Sequence, residues 1–158
     1  MLVPVDFSEH AKMAFDLALG MVRAAASIGE KPQVTLLNVG TVGYGYKKVG
    51  LSLREATQQL IDKANEQLDD FLKGVDTTGV DVECIAMCAE DDAEAIHELG
   101  VARKVDMIVI GSRGLTASAA ALLGSTTERV LVRTAIPLLV AKRKGETVGL
   151  LNALLSDA

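Results

Sequence analysis

Short apolar segments alternate with longer amphipathic segments along the chain of 158 residues. The short segments have the length and the aliphatic content of buried strands, and the longer ones repeat apolar residues at helical spacing. The predicted strands are Leu2–Val5, Val34–Val39, Val80–Met87, Asp106–Ile110 and Pro137–Ala141. The predicted helices run from Ser8, as N-cap, to near Gly29, from Leu53 to Leu72, from Asp91 to about Arg103, and from Ser125 to about Thr134. These βαβ units in series predict an open parallel α/β sheet.

Three segments depart from this regular alternation. The third predicted strand, Val80–Met87, alternates apolar and polar residues, which favours a position near a sheet edge. Residues 40–50 hold four glycines and both tyrosines and predict a mobile loop. A tyrosine there could close over a ligand, but variable surface is the favoured interpretation. Residues 145–158 predict an amphipathic tail that docks on the domain formed by residues 1–144, or on a partner.

Composition narrows the class of protein. Hydrophobic residues make up 49% of the chain and aromatic residues 3%, so the core of this single domain is aliphatic, as in parallel sheets. The net charge of −5 and the absence of a basic block argue against a nucleic-acid groove. No apolar run has the length of a bilayer span, and the first residues lack the basic region of a signal peptide, so we expect a cytoplasmic protein.

The two cysteines are predicted to be reduced thiols. Cys84 and Cys88 lie four residues apart in one predicted strand, on the same face but too far apart to bridge. The chain has only two histidines, His10 and His97, and we expect both to be solvated helix residues. A metal site made of protein ligands alone is therefore not predicted, and neither histidine is proposed as a general base.

The strongest candidate for chemistry follows the fourth predicted strand. Gly111-Ser112-Arg113-Gly114 is separated by nine residues from Gly124-Ser125. Glycines at the end of a parallel strand expose backbone N–H groups to the crevice of the sheet, and the pair Ser125-Thr126 is predicted to cap the next helix. Helix N-termini attract anions, so this arrangement favours phosphate binding. Taken alone, the glycine pair fits a plain βα turn equally well.

Three common nucleotide signatures are absent. A dinucleotide fingerprint would place glycines after the first strand, where the chain has Asp6-Phe7-Ser8. The P-loop pattern and the protein kinase motifs do not occur anywhere in the sequence. Dinucleotide-dependent dehydrogenases, P-loop NTPases and protein kinases are therefore excluded.

Two distant motifs together resemble the universal stress protein family. They are Gly111-x-x-Gly114-x9-Gly124-Ser125 after a buried strand, and Val3-Pro4-Val5-Asp6-x-Ser8 near the first residue. The glycine spacing is similar to that of the ATP-binding branch, and the similarity extends over nearly all of residues 1–143. The resemblance implies the adenine nucleotide alpha hydrolase-like fold: an open five-stranded parallel sheet of order 3-2-1-4-5 with helices on both faces. It also implies a homodimer, often formed through the fifth strand.

The same resemblance implies an ATP site across the carboxyl ends of strands one and four. Asp6 would meet the adenine or ribose, with Pro4 shaping that wall and Val39 packing on the base. Ile110, Gly111 and Gly114 would let the backbone approach the ribose and phosphates. Gly124, Ser125 and Thr126 would hold the phosphates, and Arg113 is the nearby positive charge. A magnesium or manganese ion commonly accompanies the triphosphate in this family.

Two features depart from the family pattern. Glu90, Asp91 and Asp92 place three carboxylates after the third strand, where they would repel phosphates unless a metal intervenes. The loop Leu115–Leu123 carries no cation. Asp6 could also simply cap the first helix.

Three hypotheses for function remain. The first is a regulatory ATP-binding protein of the stress-response type that acts through a nucleotide-dependent change of conformation or of partner. The second is an enzyme of the same topology, a slow ATPase, since the loop of ATP pyrophosphatases is absent and no catalytic dyad is evident. The third is a regulatory module of a larger protein, for example one linked to a transporter.

Overall fold

A computed structural model describes residues 1–29, 31–114 and 123–142. These residues form strands β1–β5 and helices α1–α4 in strict alternation. Their bounds are β1 Leu2–Pro4, α1 Glu9–Ala26, β2 Gln33–Gly40, α2 Leu53–Leu72, β3 Asp81–Cys88, α3 Asp92–Ala102, β4 Ile108–Gly111, α4 Ser125–Arg133 and β5 Leu138–Ala141. Each element predicted from the apolar pattern is present, with its ends shifted by at most three residues.

The five strands form one parallel sheet of order β3-β2-β1-β4-β5. The expected fold is thus confirmed, and β3 lies at an edge as its alternating pattern predicts. The short β1 is central: Pro4 pairs with Leu37 of β2, and Leu2 pairs with Ile108 of β4. Successive strands are added towards one side of the sheet from β1 to β3 and towards the other side from β4 to β5. A crevice therefore opens beyond the carboxyl ends of β1 and β4, where the order of the strands switches.

The helices cover both faces of the sheet. α1 and α2 pack on one face, where the rings of Phe15 and Phe71 lie 5.8 Å apart. α3 and α4 pack on the other face, where Ile96 and Val130 contribute to a second apolar cluster. Complete burial of an aliphatic side chain of this size stabilises the fold by roughly 1.5–3 kcal/mol.

Three of the four helices in the described residues begin with a side-chain cap. Ser8 caps α1 as predicted, with its hydroxyl accepting from the Ala11 amide at 3.2 Å. Ser52 caps α2 in a capping box, and Asp91 caps α3 by accepting from the amides of Ala93 and Glu94. α4 differs, because its N-cap is Gly124 and no side chain accepts there.

Residues 40–50 contain a short helix that the composition does not predict. Tyr44–Val49 forms a short 3-10 helix, closed by Gly50 at a φ of 75° that favours glycine. The segment predicted as a mobile loop therefore contains a short helix, and its mobility stays a prediction. The predicted tail, residues 145–158, lies outside the described residues, as does most of the loop Leu115–Leu123.

Both cysteines are free, in agreement with the prediction of reduced thiols. Both cysteines lie on β3 and face α2. The pKa of the Cys84 thiol is raised, mainly by burial and secondly by the charge of Asp69. The Sγ atom of Cys88 lies 3.9 Å from the carbonyl oxygen of Thr57. Within the ranges that the structure describes, no helix combines the length and the apolar character needed to cross a membrane.

Candidate functional site

A cavity of about 330 Å³ opens at the carboxyl ends of β1, β2 and β4. Its size lies in the range of small-molecule sites, about 300–1,000 Å³. All ten predicted binding residues line it: Pro4, Asp6, Val39, Ile110, Gly111, Arg113, Gly114, Gly124, Ser125 and Thr126. The sheet topology explains the convergence, because the carboxyl ends of neighbouring parallel strands meet at one edge.

The cavity lining is divided between apolar and polar segments. The strands contribute Pro4, Val39 and Ile110, and sequence reasoning did not single out Leu37 or Ile96, which extend this apolar surface. The polar lining comes from the residues that follow β1 and β4 and from the first turn of α4. A ligand with an apolar, planar part and a polar or anionic part would match this division.

The ends of β1 and β2 are joined beyond their regular ladder. The side-chain amide of Asn38 donates to the carbonyl oxygen of Val5 at 2.8 Å, and the Val5 amide donates to the Leu37 carbonyl, also at 2.8 Å. These bonds fix the two strand ends that carry Pro4 and Val39. The polar side chain of Asn38 beside Val39, near the end of the predicted strand, is a sequence signal that could have indicated this role.

The three motif glycines have different neighbours and different amounts of free space. A Cβ at Gly111 would lie 2.8 Å from the backbone carbon of His10, so this glycine lets α1 approach β4. A Cβ at Gly114 would overlap the carboxylate of Asp6. A Cβ at Gly124 would lie 3.4 Å from the Arg113 Cα, which is close to ordinary contact. Close packing of this chain therefore explains Gly111 and Gly114 even without a ligand.

Asp6 lies in a tight turn between β1 and α1. Its Oδ1 accepts from the Ser8 amide at 3.1 Å, an Asx turn, and its Oδ2 faces Gly114. The intervening Phe7 has a φ of 65°, which costs a bulky residue about 1–3 kcal/mol. The N-cap of α1 is Ser8, so Asp6 does not cap the helix itself but orients the capping residue.

The first turn of α4 corrects one prediction about the hydroxyl pair. Ser125 and Thr126 do not cap this helix, because they lie inside it and Gly124 is the N-cap. The Thr126 hydroxyl donates to Asp92 Oδ2 at 2.6 Å, and the Thr127 hydroxyl donates to the Gly111 carbonyl at 2.8 Å. The N-terminus of α4 thus lines the cavity with no side chain accepting at its cap.

The acidic turn after β3 is paired with arginines of α4. Arg129 bridges Asp91 at 3.0 Å and also contacts Asp92, and Arg133 bridges Asp91 at 2.6 Å. The hydrogen bond from Arg133, and next that from the Glu94 amide, lower the pKa of Asp91 below its ordinary value. Arg113 is therefore not the sole cation near the site, and sequence reasoning missed Arg129 because it is 37 residues from Asp92.

Known proteins resemble this chain in both sequence and fold. The model of the universal stress protein family matches residues 1–142. A universal stress protein of Methanocaldococcus jannaschii, MJ0577, is 30% identical, and the match covers 90% of this chain and 94% of that protein.

The chain belongs to the universal stress protein family.

Solved structures of this family share the fold. The structure of MJ0577 superposes with a TM-score of 0.72 at 32% identity, over 91% of this chain and 95% of that one. A universal stress protein in complex with cAMP gives a TM-score of 0.59 at 21% identity, over 90% and 96% of the two chains. An Arabidopsis thaliana family protein with AMP bound gives 0.52 at 18% identity, over 92% of each chain. The last two likenesses support the fold alone.

The histidines of this universal stress protein are less solvated than expected. His97 is half-buried, and its Nδ1 lies 3.3 Å from the Thr134 hydroxyl, which links α3 to the end of α4. His10 is also half-buried, and its backbone packs against Gly111. Neither histidine lines the cavity. Across the described part of the chain, no three His, Cys, Asp or Glu side chains cluster in a way that could hold a metal ion.

Proposed function

We propose that this universal stress protein binds an adenine nucleotide, ATP with Mg²⁺ or Mn²⁺, in the cavity at the carboxyl ends of β1 and β4. The observation that carries the proposal is the convergence of all ten predicted binding residues on one cavity. Adenine would pack between Pro4, Val39 and Ile110, and the ribose would face Asp6. Adenine nucleotides are also the ligands of two family members that share this fold, solved with cAMP and with AMP bound.

The phosphates would bind at the N-terminus of α4. The first turn of α4 lines the cavity, a helix N-terminus carries unpaired amides and the positive end of the helix dipole, and Gly124 leaves room for a close approach. Arg113 lines the same cavity and adds positive charge. Asp92 also lines it, but Arg129 compensates its charge. The repulsion expected from the acidic turn is therefore reduced.

A divalent ion would be held mainly by the nucleotide. Asp6 and Asp92 are the carboxylates among the described cavity residues, too few to form an all-protein site. Phosphate oxygens and water supply most ligands of Mg²⁺ in such complexes. The ion would reduce the negative charge that the phosphates bring close to these two carboxylates.

We propose a regulatory rather than a catalytic role, exercised in the cytoplasm. The titratable side chains of the described lining are Asp6, Asp92 and Arg113. Asp92 accepts from Thr126 and pairs with Arg129, so its oxygens are already engaged and are poorly placed to take a proton from an attacking water. Slow ATP hydrolysis is the alternative, and a regulatory module in a longer chain would use the same site.

The edge strand β5 is proposed to pair two copies into a homodimer. Among the strands described, β5 has β4 as its single neighbour, and three of its four residues are half-buried. An unpaired strand edge of this kind favours pairing with another chain. Hydrogen exchange at low and high protein concentration tests this: protection of the β5 amides should rise with concentration, in step with the mass from sedimentation.

Calorimetric titration of the purified protein tests the ligand. ATP, AMP, cAMP and GTP are compared in the presence of Mg²⁺, and release of phosphate from ATP is followed in parallel. The proposal expects binding of about one adenine nucleotide per chain, weaker binding of GTP, and negligible turnover. Turnover that a single side-chain substitution abolishes would instead establish the ATPase alternative.

A further inference from the structure

The turn that carries Asp6 contains an unusual backbone conformation. Phe7 has a φ of 65°, and the only other non-glycine residue with positive φ among those described is Lys104. Bulky side chains rarely adopt this region, because Cβ crowds the adjacent carbonyl oxygen. A phenylalanine persists in such a conformation only when its surroundings hold it there.

Aromatic contacts hold Phe7 from the α2 side. The ring of Phe7 meets the ring of Phe71 edge-on, with 6.1 Å between centroids and an interplanar angle of 71°. Phe71 in turn packs against Phe15, which is completely buried in α1. This geometry is favourable for aromatic pairs. Three rings from the β1–α1 turn, α1 and α2 thus form one cluster, which we call the Phe7–Phe71–Phe15 cluster.

The conformation of Phe7 determines where the neighbouring carboxylate lies. With Phe7 left-handed, the chain turns back sharply enough for Asp6 Oδ1 to accept from the Ser8 amide at 3.1 Å. Asp6 Oδ2 then faces Gly114, in a space that a Cβ would fill. Asp6 lines the cavity, whereas Phe7 and Phe71 do not.

We propose that Phe7 is a positioning residue that, through its contact with Phe71, holds the Asp6 carboxylate in the nucleotide-binding orientation. The inference rests on the proposed function, since it assumes that Asp6 contacts the nucleotide. It also gives α2 a connection to the site: a displacement of α2 moves Phe71, releases the turn at Phe7 and reorients Asp6. The affinity for nucleotide is thereby coupled to a helix outside the cavity.

Two variants test the positioning role from opposite sides. In Phe7→Gly the glycine tolerates the left-handed conformation but the ring is lost. Phe71→Leu removes the partner ring and leaves every residue of the turn unchanged. Leu68→Val is the matched control, because it trims a completely buried α2 side chain that belongs to the same core but to no aromatic contact. Far-ultraviolet circular dichroism first establishes that each variant is folded.

A readout without ligand comes first. Hydrogen exchange of the Ser8 amide, which donates to Asp6, is measured by NMR in each protein. We expect exchange about tenfold faster in Phe7→Gly and in Phe71→Leu, and little change in Leu68→Val. Equal protection of Ser8 in wild type and both aromatic variants would overturn the link between the rings and the carboxylate.

Affinity for ATP with Mg²⁺ is then measured in a double-mutant cycle with Asp6→Ala. We expect Phe7→Gly and Phe71→Leu to weaken binding about five- to tenfold in the wild-type background and by less than twofold when Asp6 is already alanine. Equal losses in both backgrounds would overturn the inference, because the rings would then act independently of Asp6. Absence of any wild-type binding would refute the proposed function instead, while Ser8 exchange still decides whether Phe7 positions Asp6.

Discussion

The carboxylate of Asp92 accepts a hydrogen bond from the hydroxyl of Thr126, with 2.6 Å between the two oxygens. This bond joins the first turns of α3 and α4 at the cavity, and Arg129 contacts the same carboxylate. A negative charge therefore lies beside the helix N-terminus that is proposed to receive the phosphates. The charge has consequences for binding that can be measured.

Asp92→Asn should strengthen binding of metal-free ATP about three- to tenfold. The substitution removes one repulsive charge, and two charges about 8 Å apart interact by about 1 kcal/mol at an effective dielectric constant of about 40. The gain should shrink when Mg²⁺ is present, because the ion already screens the phosphates. Titration calorimetry with and without Mg²⁺ measures both effects.

Glu98→Gln is the control for Asp92→Asn, since it removes the same charge from an exposed position of α3 outside the cavity lining. It should leave the affinity nearly unchanged. If both variants gain equally, net charge rather than the position of Asp92 governs binding.

Gly114→Ala should weaken ATP binding at least tenfold while the fold persists. The added Cβ would overlap the Asp6 carboxylate and must displace it. Gly45→Ala is the control, because its Cβ would enter open space outside the cavity lining, and we expect the affinity to change by less than about twofold. The affinities of the two variants for ATP are compared after circular dichroism has shown that both are folded. Equal losses of affinity in the two variants would contradict the role given to Asp6.

Gly111→Ala and Gly20→Ala should change the free energy of unfolding in opposite directions. A Cβ at Gly111 would lie 2.8–2.9 Å from backbone atoms of His10, so overpacking should destabilise the fold by about 1–3 kcal/mol. Gly20 lies within α1 with open space around it, and alanine there should stabilise by about 0.5–1 kcal/mol. Urea unfolding measures both, and a neutral Gly111→Ala would refute the close approach of α1.

The Asp91 pairs should make part of the stability depend on pH. Arg133 holds the pKa of Asp91 below its ordinary value, so the folded state favours the ionised form. This contribution is complete above the pKa of the unfolded state, about 3.9, and is lost as the pH falls through the lower pKa of the folded state. The Tm of Asp91→Asn should therefore lie below that of wild type at neutral pH, and the gap should close progressively below about pH 3.9.

Asp16→Asn serves as the control for that pH series, since Asp16 is exposed on α1. Thermal unfolding at several pH values should show no comparable change in its difference from wild type. A constant gap for Asp91→Asn across the same range would mean that its ion pairs with Arg129 and Arg133 contribute nothing.

The sequence predicts the strands and helices well because the apolar pattern of this chain is regular. Leu53–Leu72 is a helix with the bounds that its apolar stripe indicates, and Ser8 caps α1. Tyr44–Val49 lies in residues 40–50, for which the sequence predicts a loop because four of the eleven residues are glycine, yet its local i to i+3 hydrogen bonds form a 3-10 helix. Local composition does not determine such short helices.

The sequence motifs predict which residues line the site. They do not predict which side chains pair with one another there. The strand ends bring Asp6, Gly114 and Gly124 together, and the parallel topology explains why. The pairing of Asp92 with Thr126 and Arg129 depends on how α3 packs on α4, which no motif encodes. For the same reason the acidic turn was expected to repel phosphates unless a metal intervenes, whereas Arg129 and Arg133 pair with two of its three carboxylates, Asp91 and Asp92.

Amide NMR during titration with ATP and Mg²⁺ tests the central claim most directly, because it reports both whether the nucleotide binds and where. The account predicts saturable shifts concentrated at Val39, Gly114, Gly124, Ser125 and Thr126, with about one nucleotide bound per chain. The amide signals at the amino ends of the strands, such as those of Gln33 and Asp81 at the start of β2 and β3, should not shift. Absence of shifts at millimolar nucleotide, or shifts confined to residues outside the cavity, would contradict the account.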